Sequence, residues 1–193
     1  MKKFLFLLLC ITILFTGTQK SFSENISIDS TELNFAMNYF SILYHYDVKA
    51  AEFGQKSQTI NNKNDLATLF NEQKLFVKDT IQTLNTLKPS ENYKSSYTLV
   101  INGLIEQDKY LQEILSSLNN GVSFEEAFVI NSWNFINAKK NIEKGINELK
   151  IILDNYSQTN QIKILSAAGI TEEQLVQDAY NCEYIKTIQD NIK

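Results

Sequence analysis

Arginine is missing altogether: the 18 basic residues of this 193-residue chain are all lysine. Histidine occurs once, at His45, proline once, at Pro89, and there are six glycines and two cysteines, Cys10 and Cys182. Each shortage removes a class of chemistry. Bidentate clamps on phosphate or carboxylate need the planar guanidinium fork, which lysine does not supply. A metal centre built from imidazoles needs more than one of them. With 22 acids against 18 lysines the net charge is −4, which repels a polyanion, so nucleic acid is not an expected partner. Few glycines and a lone proline argue against an all-β domain, which needs many tight turns. Disorder is excluded by a hydrophobic content of 44%, rich in Ile, Leu, Phe and Tyr. The remaining class is a compact helical protein of one domain's size.

What is present begins with an address. Lys2 and Lys3 precede an apolar run from Phe4 to Phe15, followed by the polar stretch Thr16-Gly17-Thr18-Gln19-Lys20. That layout is a secretory signal peptide. As a helix the run reaches about 18 Å, too short for a hydrocarbon core of about 30 Å, so no stable membrane span is expected. Ser21-Phe22-Ser23 places small residues where a signal peptidase reads them, which puts the cut between Ser23 and Glu24; a competing cut lies after Thr18. Leu7-Leu8-Leu9-Cys10 has the leucine of a lipidation site, yet the residues beside the cysteine are large, and an apolar cysteine inside a signal helix fits better.

Cleavage after Ser23 takes three of the lysines and none of the acids, so the net charge falls from −4 to −7. The mature chain, residues 24–193, reads as a single domain in an extracytoplasmic compartment, periplasmic or secreted. Its one thiol, Cys182, cannot form an internal disulfide; it is either buried and inert or joins two copies as a homodimer.

Periodicity predicts four long helices, at about 30–53, 65–88, 90–119 and 124–155, and a C-terminal appendage at about 161–190. In the first, Leu33, Ala36, Met37, Phe40, Leu43, Tyr44, Val48 and Ala51 recur at three- and four-residue steps, with Asp29 and Ser30 as start signals and Gly54 as the stop. The second carries Leu66, Leu69, Phe70, Val77, Ile81, Leu84 and Leu87, and Pro89 ends it because the residue before a proline avoids helical geometry. The third runs on Tyr93, Tyr97, Val100, Leu104, Leu111, Ile114 and Leu118 to a close at Asn119-Asn120-Gly121. Ser123 and Glu126 form a capping box opening the fourth, on Phe124, Phe128, Phe135, Ala138, Ile142, Ile146, Leu149 and Leu153, with Gly145 its one weak point. A second box, Thr171-Glu172-Glu173-Gln174, opens a last helix on Leu175, Ala179, Cys182, Ile185 and Ile188. Short links make successive helices antiparallel neighbours. The expected fold is all-α, an antiparallel up-down four-helix bundle with an additional C-terminal helix.

The junction Leu84-Asn85-Thr86-Leu87-Lys88-Pro89-Ser90-Glu91-Asn92-Tyr93-Lys94, followed by a long amphipathic helix, resembles a helix-Pro-helix junction of small uncharacterised bacterial exported proteins of helical-bundle type. Those proteins commonly have a second proline, where this chain has Ser90, and a later histidine, which this chain lacks. The similarity covers about 35 residues. It implies the fold and the compartment and says nothing of chemistry.

Catalytic patterns are not found. A carboxylate di-iron bundle needs two Glu-x-x-His pairs, and three residues before His45 stands Ile42. Gly-x-Ser-x-Gly and Gly-rich phosphate loops are absent, and the acid pairs Glu125-Glu126 and Glu172-Glu173 sit in first turns, where the helix dipole favours them. His45 beside Asp47 reads as a solvated histidine between Tyr44 and Tyr46. The expectation is a non-enzymatic protein without cofactor or metal that binds another protein or an envelope component. The alternative is a small-ligand-binding or sensor-like bundle, with Trp133 or tyrosines lining a site between helices. The first helix carries a second stripe, Phe35, Tyr39, Ile42, Tyr46 and Phe53, rotated from the core stripe. Either the C-terminal appendage covers it, or Tyr39, Ile42, Tyr46 and Phe53 remain partly exposed as anchors for a partner.

Overall fold

The computed structural model describes residues 28–60 and 62–171. The expected signal segment, the last expected helix and Cys182 lie outside the described residues. Among those described there are five α-helices, one short 3-10 turn and no strand: α1 Ser30–Thr59, α2 Lys63–Asn85, the turn Glu91–Tyr93, α3 Lys94–Asn119, α4 Phe124–Asp154 and α5 Gln158–Ala167. The protein is an all-α helical bundle.

Local chemistry sets most of the boundaries. Asp29 caps α1 by accepting the Thr31 amide at 2.8 Å, and that bond holds its carboxyl below the usual range. Asn62 caps α2 through the Asp65 amide, and Ser123 caps α4 through that of Glu126. After α3, Gly121 takes a φ of 87°, and the Val122 amide reaches back to the Ser117 carbonyl, satisfying a carbonyl the helix leaves open. Gly169, at φ 77°, does the same for α5, with the Ile170 amide bonded to the Leu165 carbonyl.

Three expected boundaries are corrected. Gly54 does not stop α1, which continues to Thr59. A glycine stops a helix by turning left-handed, and among the described residues only Gly121 and Gly169 do so; Gly54 is buried inside the helix. The hydroxyls of Ser57 and Thr59 then bond the Gly54 and Lys56 carbonyls as the helix runs out. Second, α2 ends at Asn85, four residues before Pro89 rather than against it, where the Thr86 hydroxyl bonds the Thr83 carbonyl. Ser90 opens only the 3-10 turn, and α3 proper starts at Lys94. Third, the appendage expected from about residue 161 opens with a helix already from Gln158, started by the Ser157 cap.

Helices α1 and α3 run parallel to each other and antiparallel to α2 and α4: Tyr97 bonds the Leu84 carbonyl and Lys74 reaches Gln112, while Gly103 faces Ala138 and Gly145 faces Ser96. The α3–α4 contact is backbone against backbone. A Cβ on Gly103 would stand 2.8 Å from the Ala138 carbonyl oxygen, and one on Gly145 would stand 2.8 Å from that of Ser96. Gly145, read from sequence as a weak point, is therefore a point of closest approach. α5 lies against α1, with Ile164 and Leu165 sharing a cleft with Phe40, Lys150 and Leu153. The core runs the length of the bundle, from Phe35, Tyr39 and Tyr93 through Leu104 and Leu111 to Leu118 and Ala127.

Candidate functional site

The aromatic stripe of α1 was the sequence-derived candidate, and its placement decides between the two readings. Tyr39 is fully buried, Tyr46 and Phe53 are buried, and Ile42 is half-buried. The reading of Tyr39, Tyr46 and Phe53 as exposed anchors is thereby corrected. Among the described residues the cover is α2, the 3-10 turn and α3. Tyr39 packs against Tyr93 and Tyr97, Tyr46 stacks on Phe76 with ring centroids 6.0 Å apart, and Phe53 meets the same Phe76. α5 covers the other stripe, at Phe40. A helix that is apolar on two sides is here central, with neighbours on both.

Their hydroxyls explain why these residues are tyrosines. Tyr39 is 3.2 Å from Ser96 Oγ, and Ser96 donates to the Gly145 carbonyl at 2.7 Å. The single Ser96 proton is thus committed, so Tyr39 donates to Ser96, and one relay ties α1, α3 and α4 together. Tyr46 donates to the buried Gln107 side chain on α3. At the bundle's end Tyr93 bonds Tyr156, which reaches Glu32 Oε1, and Asn92 donates to the same oxygen at 2.7 Å. Burial raises the pKa of Tyr39, Tyr46, Tyr93 and Tyr110, so all four stay neutral. These polar links fix the register of the helices.

His45 is exposed, with its ring 6.0 Å from that of Phe76. Asp47, two residues on, projects from a different side of the helix. It is half-buried, and burial pushes its carboxyl up to about 6. Among the described residues no three of His, Cys, Asp and Glu stand close enough to hold a metal ion, and no helix is long and apolar enough to cross a membrane. The cleft between α1, α4 and α5, lined by Phe40, Lys150, Leu153, Asp154, Gln161, Ile164 and Leu165, encloses about 140 Å³.

Trp133, expected to line a ligand site between helices, points outward instead. It is 69% exposed, and Val129 (69%), Ile130 (64%) and Ile136 (52%) stand with it on the side of α4 turned away from α3. Val129, Trp133 and Ile136 step by four and three, and Ile130 lies three residues before Trp133, so the four form one patch. Lys140 and Lys144, both exposed, continue the same side of the helix. From Ala127 to Ile142 α4 contains no carboxylate. The two-stripe argument applied to α1 would have found this patch on α4, because none of its four residues belongs to the core series that starts at Phe124 and Phe128. Isolated exposed apolar residues are ordinary, whereas a contiguous set including a tryptophan is a candidate contact surface.

No family model, characterised protein or solved structure matches the chain.

Proposed function

We propose that the protein is a non-enzymatic helical bundle, exported from the cytoplasm, that acts by holding another macromolecule in the cell envelope or outside the cell. The observation that carries this is the exposed patch Val129, Ile130, Trp133 and Ile136 on α4. A tryptophan and two isoleucines exposed on one side of a helix are suited to a partner's apolar surface. Export is supported by the Lys2-Lys3 and Phe4–Phe15 segment with Ser21-Phe22-Ser23 after it, and by the resemblance of the Pro89 junction to exported bacterial bundles. The small-ligand reading has less support. A cleft of about 140 Å³ admits a benzene-sized ring, while sites for metabolites are commonly about 300–1,000 Å³.

Affinity capture from the native compartment tests the proposal. Replacing Trp133 and Ile136 with serine should leave the melting temperature unchanged and abolish recovery of the partner. Equal recovery by both proteins refutes the α4 surface. N-terminal sequencing of exported protein should begin at or near Glu24, and material retaining Met1 refutes export by this segment.

A further inference from the structure

The exposed side of α4 is laid out symmetrically about Trp133. Ile130 and Ile136 stand three positions before and after it, and Glu126 and Lys140 stand seven, two helical turns to either side and on the same line as the tryptophan. Both are exposed, and among the described residues neither belongs to an ion pair. The other charges between residues 125 and 144 are Glu125, Lys139, Glu143 and Lys144. Lys139 and Glu143 bridge each other at 3.5 Å and cancel. Glu125 lies at the edge of the strip beside Glu126, and Lys144 follows Lys140 by one turn. The strip is therefore acidic at its start, apolar in the middle and basic on balance at its far end.

A strip of this kind is complementary to itself turned end for end. A two-fold axis beside Trp133 sets the tryptophan against its own copy, Val129 against Ile136 and Glu126 against Lys140, each pair occurring twice by symmetry. Lys144 then approaches the same Glu126 of the second copy from the next turn. Glu125 comes beside the Lys139–Glu143 bridge of the second copy, whose lysine offsets the like charge. A parallel pair would set Glu126 on Glu126 and Lys140 on Lys140, so charge selects the antiparallel one. We propose that α4 docks on α4 of a second copy of this chain, giving an antiparallel two-fold dimer centred on Trp133. The inference rests on the reading of the patch as a binding surface and names its occupant. From Glu126 to Lys140 is about 21 Å along the axis, and a strip of that length and one helix wide is smaller than the about 800 Å² each partner gives to a standard interface. The dimer is accordingly reversible and dissociates on dilution.

Sedimentation of the mature chain tests this, under reducing conditions so that Cys182 forms no bond. Monomer should give way to dimer as concentration rises, and emission from Trp133, the only tryptophan, should move to the blue over the same range. Glu126→Lys alone and Lys140→Glu alone should each weaken the dimer about tenfold, because two attractive contacts become repulsive, with the helical circular dichroism unchanged. Mixed in equal amounts, the two variants should pair with each other, since residue 126 then meets a residue 140 of opposite sign in both contacts. Monomer at every concentration, a dimer that neither reversal weakens, or a mixture that pairs no better than its components overturns the proposal. The α4 binding surface fails separately, when the Trp133 and Ile136 variant captures the native partner as well as the parent does.

Discussion

Alanine at Gly103 and at Gly145 pits helix propensity against close packing. In a helix alone, each change should stabilise by about 1 kcal/mol, since alanine is the better helix former. Here the new methyl group of Gly103→Ala would lie 2.6 Å from Ile142 Cγ1, 2.8 Å from the Ala138 oxygen and 2.9 Å from the Ile142 nitrogen. The Ile142 side chain has little room to turn, being buried and β-branched in a helix. The other two atoms are backbone and move only if α4 moves, by about half an ångström to reach ordinary contact. Overpacking of this kind costs about 1–3 kcal/mol, and contact with backbone on a rigid helix takes the upper part of that range. The net expectation is a loss of about 1–2 kcal/mol for Gly103→Ala. Gly145→Ala should cost a similar amount, because its methyl group meets Val100 Cγ2 at 2.7 Å and the Ser96 oxygen at 2.8 Å, and separation also stretches the Ser96 bond to the Gly145 carbonyl. The two notches lie on one interface, about 7–8 Å apart along it. One displacement of α4 relieves both, so the double variant should cost at least about 0.5 kcal/mol less than the sum. Urea unfolding followed by far-ultraviolet circular dichroism measures all three. A stabilised single variant would refute the backbone contact, and strict additivity would refute the shared displacement.

Other substitutions test the polar links and the two faces. Tyr46→Phe strands the buried Gln107 oxygen and should cost about 1–3 kcal/mol in denaturant titration, while adding Gln107→Leu should recover much of the loss. Tyr39→Ser with Tyr46→Ser should remove several kcal/mol, of order 3–5 per emptied aromatic site, and unchanged stability would return these residues to the surface. Trp133→Ser should stay within about 0.5 kcal/mol of the parent in the same titration. Asp47→Asn probes a carboxyl whose pKa rises to about 6 on folding. The folded chain then holds that proton more tightly than the unfolded one, so its ionisation lowers stability as pH rises from about 4 to 6. The variant should melt higher than the parent above pH 6, with the difference vanishing below about pH 4, and a difference independent of pH would refute the assignment.

Features that depend on neighbouring residues alone were legible in the sequence. The Ser123 cap, the Asp29 start and the Asn120-Gly121 close are each decided within a few residues, and each is found where expected. Gly54 was misread because a glycine's identity does not say whether it turns left-handed, and burial of its helix face kept it helical. For the α1 stripe, periodicity identified a second apolar face and gave no means of telling a central helix from an exposed one. The cover came from Phe76, Tyr93 and Tyr97, distant in sequence. Gly103 drew no notice at all, because a small residue in a helix becomes informative only once its partner helix is in place. The α4 patch was readable by the reasoning already used on α1, and it was passed over because the core series of α4 was complete without it.

The hydroxyl links of α1 also impose an order on synthesis. Tyr39 and Tyr46 find their partners on α3, 57 and 61 residues further along the chain. As the polypeptide emerges from its amino end, α1 is made first and can be finished only after α3 has followed it. The α3–α4 hairpin, by contrast, closes on itself across a turn of a few residues. It can assemble early as a local unit, with α1 recruited to it afterwards. In native-state hydrogen exchange the amides around Gly103 and Gly145 should accordingly be the last to open, and those of α1 should open together in a lower-energy step.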